Sequence, residues 1–278
     1  MNAFQARSWI AGLAVFLILI SPAGAFPEIA GTVPADRPGK AYLDQAVRDC
    51  QGVVLSPVRW DGGDFLKLSA VLGTGLLLGF ADAGIQDWMQ KQRTAASENI
   101  SKFFSHAGDG AYLSAFMAGL YLAGEAGGYP GLRRTALLSF ESYLISGALV
   151  LGLKTLAGRA RPAAGEGSCS FHPFSLKSSR QSLPSGHSIS AWAVASVIAD
   201  QMENAVLDAA VYSLAACASL SRVHDNKHWA SDVFLGAALG YFIGKKICDL
   251  NGGEAGKRLK VSLELAGSRQ CVTLSLGF

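Results

Sequence analysis

Three short stretches of the sequence gather the residue types that handle a phosphate. The first, Lys154-Thr155-Leu156-Ala157-Gly158-Arg159-Ala160-Arg161-Pro162, sets Lys154 and Arg161 seven positions apart. That is close to two helical turns, so both cations can project from one face. The second, Pro184-Ser185-Gly186-His187, stands immediately before an apolar segment. A helix start leaves its first N–H groups unsatisfied and so attracts anions, and a Ser hydroxyl adds to them. Gly186 lets a ligand approach the backbone, and His187 contributes a group that titrates near neutral pH. The third stretch runs from Ser221 to Asp232 and holds Arg222, whose guanidinium forks onto phosphate oxygens. Within it His228 and Asp232 lie four apart, side by side on a helix. A carboxylate there fixes the tautomer of the imidazole and stabilises its positive form, leaving the other ring nitrogen free to attack or to accept a proton. Each stretch alone also has an ordinary reading, as the basic flank of a helix, a helix cap, or a structural hydrogen bond.

Taken together and in order, the stretches resemble the signature of the type 2 phosphatidic acid phosphatase and vanadium haloperoxidase superfamily. That signature is Lys, six residues, Arg-Pro; then Pro-Ser-Gly-His; then Ser-Arg, five residues, His, three residues, Asp, all present here at full spacing. The resemblance runs from about Leu66 to Lys246. It implies that His228 attacks phosphorus to form a phosphohistidine and that Asp232 orients it. By the same resemblance His187 protonates the leaving alcohol and then activates water. Lys154, Arg161, Arg222, Ser185 and the Gly186 amide would hold the non-bridging oxygens, with no metal and no cofactor required. Arg159 does not fit the motif spacing and reads as a charge behind the site or at the surface. His224 and His228 make an HxxxH pair like half a zinc site, but no third ligand stands at suitable spacing. His106 and His172 read as loop residues, and Trp229 as packing at a helix start or lining the substrate entrance.

The activity so implied is hydrolysis of phosphomonoesters or pyrophosphates, lipid-linked or otherwise, in the cell envelope. Two other functions compete. A haloperoxidase would hold vanadate where phosphate sits and would oxidise halide when given it. A non-catalytic envelope scaffold, anchored through its C-terminal end, would show no phosphatase activity at all.

The elements that must position these residues are legible from composition. Half the chain is hydrophobic and 16% is charged, against about 25% in an average soluble protein, which excludes disorder. The balance of 24 Lys and Arg against 21 Asp and Glu leaves +3, too little for a general nucleic-acid surface. Any anion must be held locally. Many of the 32 glycines sit inside apolar stretches, a habit of closely packed and often membrane helices. Residues 1–25 read as a signal peptide, with Arg7, an apolar run from Ile10 to Ile20 and an Ala23-Gly24-Ala25 cleavage site, or else as an anchor.

A polar segment over 26–64 precedes a helical core over 65–248. Six apolar segments, Leu66 to Ala83, Ala111 to Gly127, Thr135 to Leu153, Ile189 to Ala199, Ala205 to Leu220 and Val233 to Ile247, predict an all-α six-helix bundle. Alternating apolar residues over 260–278, broken at Gly267-Ser268, predict a C-terminal β-hairpin. Of the five cysteines, Cys217 and Cys248 read as buried thiols, and no disulfide is assigned among Cys50, Cys169 and Cys271. The expected partners are a phosphorylated lipid or small phosphoester and a membrane; the sequence leaves the oligomeric state open. The side the site faces is also open. A cleaved leader followed by six spans puts the motifs in the cytoplasm, whereas Lys245 and Lys246 favour the opposite orientation.

Overall fold

Eight α-helices form among the described residues, where apolar runs alone predict six. The computed structural model describes residues 36–202 and 204–252 and, as backbone only, 260–264 and 271–275. The expected signal peptide lies outside the described residues. In chain order the helices are α1 (Lys40–Val54), α2 (Gly62–Lys91), α3 (Ala95–Ser105), α4 (Gly110–Gly127), α5 (Pro130–Ala157), α6 (Gly186–Met202), α7 (Ala205–His224) and α8 (Ala230–Asn251).

The two additional helices, α1 and α3, are amphipathic and carry no continuous apolar run, so a search for runs passes over them. α1 lies inside the segment read only as polar. It docks through buried Val53 and through Asp49, which accepts 2.6 Å from the Asn251 side chain at the end of α8. α3 starts at a capping box in which Thr94 and Ser97 satisfy each other's backbone N–H groups. The other helices are longer than their apolar runs because caps set the ends. The Asp61 side chain accepts from Asp64 N–H, Asp109 from Ala111 and Tyr112, and Asn204 from Val206 and Leu207.

α6 is the central element, buried along most of its length. One side packs against α4 and α7 through Leu113, Met117, Val194, Ile198, Val211 and Ala215. The other packs against α5 and α8 through Leu138, Ile145, Ile189, Val197, Ile243 and Ile247. Contact with α8 is backbone to backbone: a Cβ on Gly240 would stand 2.3 Å from the Ile189 carbonyl oxygen. Cβ atoms on Gly236 and Gly244, one turn to either side, would stand 2.7 and 2.6 Å from the Ser185 and Ala193 carbonyl oxygens.

α2, α5 and α7 are long and apolar enough to cross a membrane. α2 is the least covered, with Leu66, Leu72, Leu76, Leu77 and Phe80 exposed. The C-terminal hairpin expected over 260–278 is not carried as part of this fold. Of that stretch only Lys260–Glu264 and Cys271–Ser275 are described, as two short antiparallel strands. The fold is the all-helical bundle.

Candidate active site

α5 and α7 end, and α6 and α8 begin, at one end of the bundle, and the three motifs meet there. α5 stops at Gly158, whose φ of +57° and a would-be Cβ 1.7 Å from the His172 carbonyl oxygen admit only glycine. The chain then folds over the helix ends. Ala160 N–H donates to Ser170, Arg161 N–H to Ser179 and Ser182 N–H to the Arg159 carbonyl, at 2.8 to 3.0 Å. Ser185 N–H donates 3.0 Å to the Asp232 carbonyl, which ties the second motif to the third.

Lys154 stands on the last turn of α5, its Nζ 3.5 Å from where a Cβ on Gly186 would be. A side chain at position 186 would therefore fill the space between the ammonium and the α6 backbone. Arg222 donates 2.7 Å to Ser105 Oγ on α3, and its Nη1 lies 3.6 Å from Asp225. The Nε atoms of Arg161 and Arg222 are buried with no hydrogen-bond partner among the described residues. Such groups are costly to leave unmade, and the oxygens of a phosphate would satisfy them. Ser185 is fully buried, its Oγ 3.5 Å from Ser188 N–H at the helix start.

His228 is 2% exposed. Its Nδ1 sits 2.7 Å from the Ser182 carbonyl oxygen. A carbonyl only accepts, so Nδ1 carries the hydrogen and Nε2 keeps a free lone pair. Burial, and then Lys154, Arg161 and Arg222, hold this imidazole well below the usual histidine range, hence neutral. The direct pairing with Asp232 expected from the sequence is not what the structure shows. Asp232 Oδ2 lies 4.0 Å from Nδ1, beyond hydrogen-bond reach. Asp232 instead accepts from Ser182 Oγ at 2.5 Å, Trp229 N–H at 3.0 Å and Arg159 Nη1 at 2.6 Å. Burial raises its carboxyl, against the pull of these three donors.

His187 opens α6 on the side of the Gly108 turn, where a Cβ on Gly108 would lie 2.9 Å from its Cβ. Burial and then Arg222, Lys154 and Arg161 push it down to about 4, while Asp109 pulls the other way. The structure thus brings together His228, His187, Lys154, Arg161, Arg222 and Gly186, with Asp232 and Ser185 beneath them.

Sequence reasoning missed the support under the site. Of the two readings of Arg159, the structure shows the charge behind the site, 4% exposed and bonded to both Asp232 and Asp82, and it is this second acid that went unread. Asp82, on α2, is fully buried. A usable signal was present, since Asp82 is the one acid between Leu66 and Ala83, and an ionisable group in an apolar helix has a partner inside. His224 points away from His228, with Nε2 2.9 Å from Ser97 Oγ and Nδ1 3.2 Å from Asp225, so the HxxxH pair does not share a ligand. Trp229 is buried and donates 2.9 Å to the Ala160 carbonyl.

Fold and site define a class: an all-helical protein with three cations and two histidines gathered at the ends of four helices. The sequence pattern of the PAP2 superfamily matches residues 135–248. The lipid A 1-phosphatase of Rhizobium etli is 30% identical over 203 residues, 67% of this chain and 82% of its own length. That of Rhizobium johnstonii is 31% identical over 217 residues, 72% and 84% of the two chains. The chain belongs to the PAP2 superfamily. Among solved structures, Aquifex aeolicus LpxE superposes with a TM-score of 0.50 at 20% identity, covering 60% of this chain and 94% of its own. The first transmembrane PAP2 type phosphatidylglycerolphosphate phosphatase from Bacillus subtilis superposes with a TM-score of 0.51 at 20% identity, covering 69% and 98%. These two share the fold.

Proposed function

We propose that this protein is a metal-independent phosphatase of the cell envelope that hydrolyses a lipid-linked phosphomonoester or pyrophosphate through a phosphohistidine. The observation that carries the reading is a neutral, buried His228 with its Nε2 lone pair free, beside Arg161 and Arg222, whose buried Nε atoms lack partners among the described residues. The names of the two Rhizobium relatives support a lipid phosphate as substrate, and the three long apolar helices support a membrane location.

In this mechanism Nε2 of His228 attacks phosphorus while the bond to the leaving oxygen breaks, and that oxygen takes a proton from His187. Neutral His187 then removes a proton from water as the water attacks the phosphohistidine and releases inorganic phosphate. Lys154, Arg161, Arg222 and the Gly186 amide stabilise the equatorial oxygens, in which charge builds up. Purified protein in detergent with excess EDTA is expected to release phosphate from a lipid phosphomonoester, and vanadate is expected to inhibit it. Activity that disappears on chelation and returns with a divalent metal would overturn the mechanism.

A further inference from the structure

We infer that Asp82 and Arg159 are positioning residues for the His228 nucleophile, acting through Asp232 and Ser182. Arg159 places all five of its N–H donors. Nε and Nη2 bond the Ser168 carbonyl at 2.9 and 2.7 Å, Nη1 bonds Ser231 Oγ at 2.7 Å and Asp232 at 2.6 Å, and Nη2 also bonds Asp82 at 2.7 Å. Its guanidinium lies over the rings of Phe171 and Trp229, 5.5 and 5.7 Å from their centroids. Asp82 in turn accepts from Ser231 N–H at 2.9 Å and Ser231 Oγ at 2.5 Å, the first turn of α8. An Asp–Arg–Asp row therefore runs from α2 to the base of the site, with no solvent reaching its carboxylates.

The row ends on the group that sets the tautomer. Asp232 holds the Ser182 hydroxyl, the Arg159 carbonyl holds the Ser182 N–H, and the Ser182 carbonyl takes the hydrogen of His228 Nδ1. With Asp232 itself 4.0 Å from the ring, the imidazole is oriented at one remove. Loss of Asp82 or of Arg159 frees Asp232 to turn and Ser182 to shift. A displacement of about 1 Å at a nucleophile costs on the order of 100-fold in rate without a matching loss of binding.

The inference rests on the reading of His228 as nucleophile, so its test includes a readout that needs no turnover. The full chain, labelled with ¹⁵N-histidine in detergent micelles, carries five histidines, and the His228 signals are those lost in His228→Gln. Wild type is expected to show one protonated Nδ1 and one bare Nε2. Arg159→Lys keeps the charge but cannot fork onto both carboxylates, and Asp82→Asn keeps the shape but not the charge. Both are expected to give a mixture of His228 tautomers, with kcat on a lipid phosphate down about 100-fold, KM within about threefold, and the double variant little worse than either single one. Ser231→Ala, which removes one hydroxyl and no charge, is expected to do the same more weakly and serves if the charge variants do not fold. A single unchanged His228 tautomer in a folded variant, or an unchanged kcat with only a lower melting temperature, overturns the inference. An inactive wild type brings down the phosphatase reading instead, and the imidazole spectrum still decides the inference.

Discussion

At the scale of single residues the proposed mechanism gives the two histidines opposite needs, and their surroundings meet one of them. His228 must be neutral to attack, and it is. In the proposed mechanism His187 must carry a proton to release the leaving group, yet burial and the neighbouring cations push it down to about 4. The phosphate dianion supplies what is missing, since a nearby negative charge favours the imidazolium. A bound dianion thus raises the His187 pKa above its free value. The binding it contributes is full below about pH 4 and is lost as pH rises through the bound-state pKa. Inhibition by sulfate, whose charge is constant over this range, should therefore strengthen from pH 8 down to about pH 4 in wild type. In His187→Ala that slope should flatten, and a slope that persists would place the titration elsewhere. The same variant is expected to lose about 100- to 10,000-fold on an alkyl phosphate but far less on p-nitrophenyl phosphate, whose leaving group needs little protonation. His228→Ala should trap no phosphoenzyme on rapid quench with either substrate.

At the scale of elements, the site depends on how closely α6 approaches α8, because one opens with Gly186 and His187 just after Ser185 and the other follows His228. Gly236, Gly240 and Gly244 allow that approach, and Gly240→Ala would press a methyl group onto the Ile189 carbonyl. Overpacking of this kind costs about 1–3 kcal/mol, so a lower melting temperature in detergent and reduced turnover are expected together. Full activity at unchanged stability would show that the helices tolerate separation. The glycines were visible in the sequence as small residues inside apolar stretches, and that placement pointed to closely packed helices without saying which pair they join. The three motifs were equally visible, since fixed spacing at helix ends survives as a linear pattern. What the sequence concealed has a common physical cause. Asp82 to Arg159, and Ser182 to His228, are pairings between residues 46 to 77 positions apart, and no local periodicity records them. The direct His228 to Asp232 contact was the natural reading of an i, i+4 pair. It fails because His228 sits ahead of α8, which starts at Ala230, so helical spacing does not apply between them.

At the scale of the whole molecule, the question is which way the bundle stands in a membrane, and two native cysteines are placed to answer it. Cys169 lies exposed on the loop that folds over the site, and Cys50 lies exposed on α1, which docks against the end of α8 farthest from the site. Neither is in a disulfide among the described residues. Cys248 is buried, and Cys217 is half-buried rather than fully so. The end away from the site carries Arg133 and Arg134 at the start of α5 and Lys245 and Lys246 near the end of α8. The cations of the site end are committed to the site and its loop, so Lys245 and Lys246 are taken to set the orientation, with their end inside and the site outside. In intact cells expressing the Cys217→Ser, Cys271→Ser variant, a membrane-impermeant maleimide should modify Cys169 and spare Cys50 until the membrane is permeabilised. Carbonate-washed membranes should retain the protein. The reverse labelling would put phosphate hydrolysis on the cytoplasmic face, and labelling of both before permeabilisation would mean that the bundle rests against a membrane without crossing it.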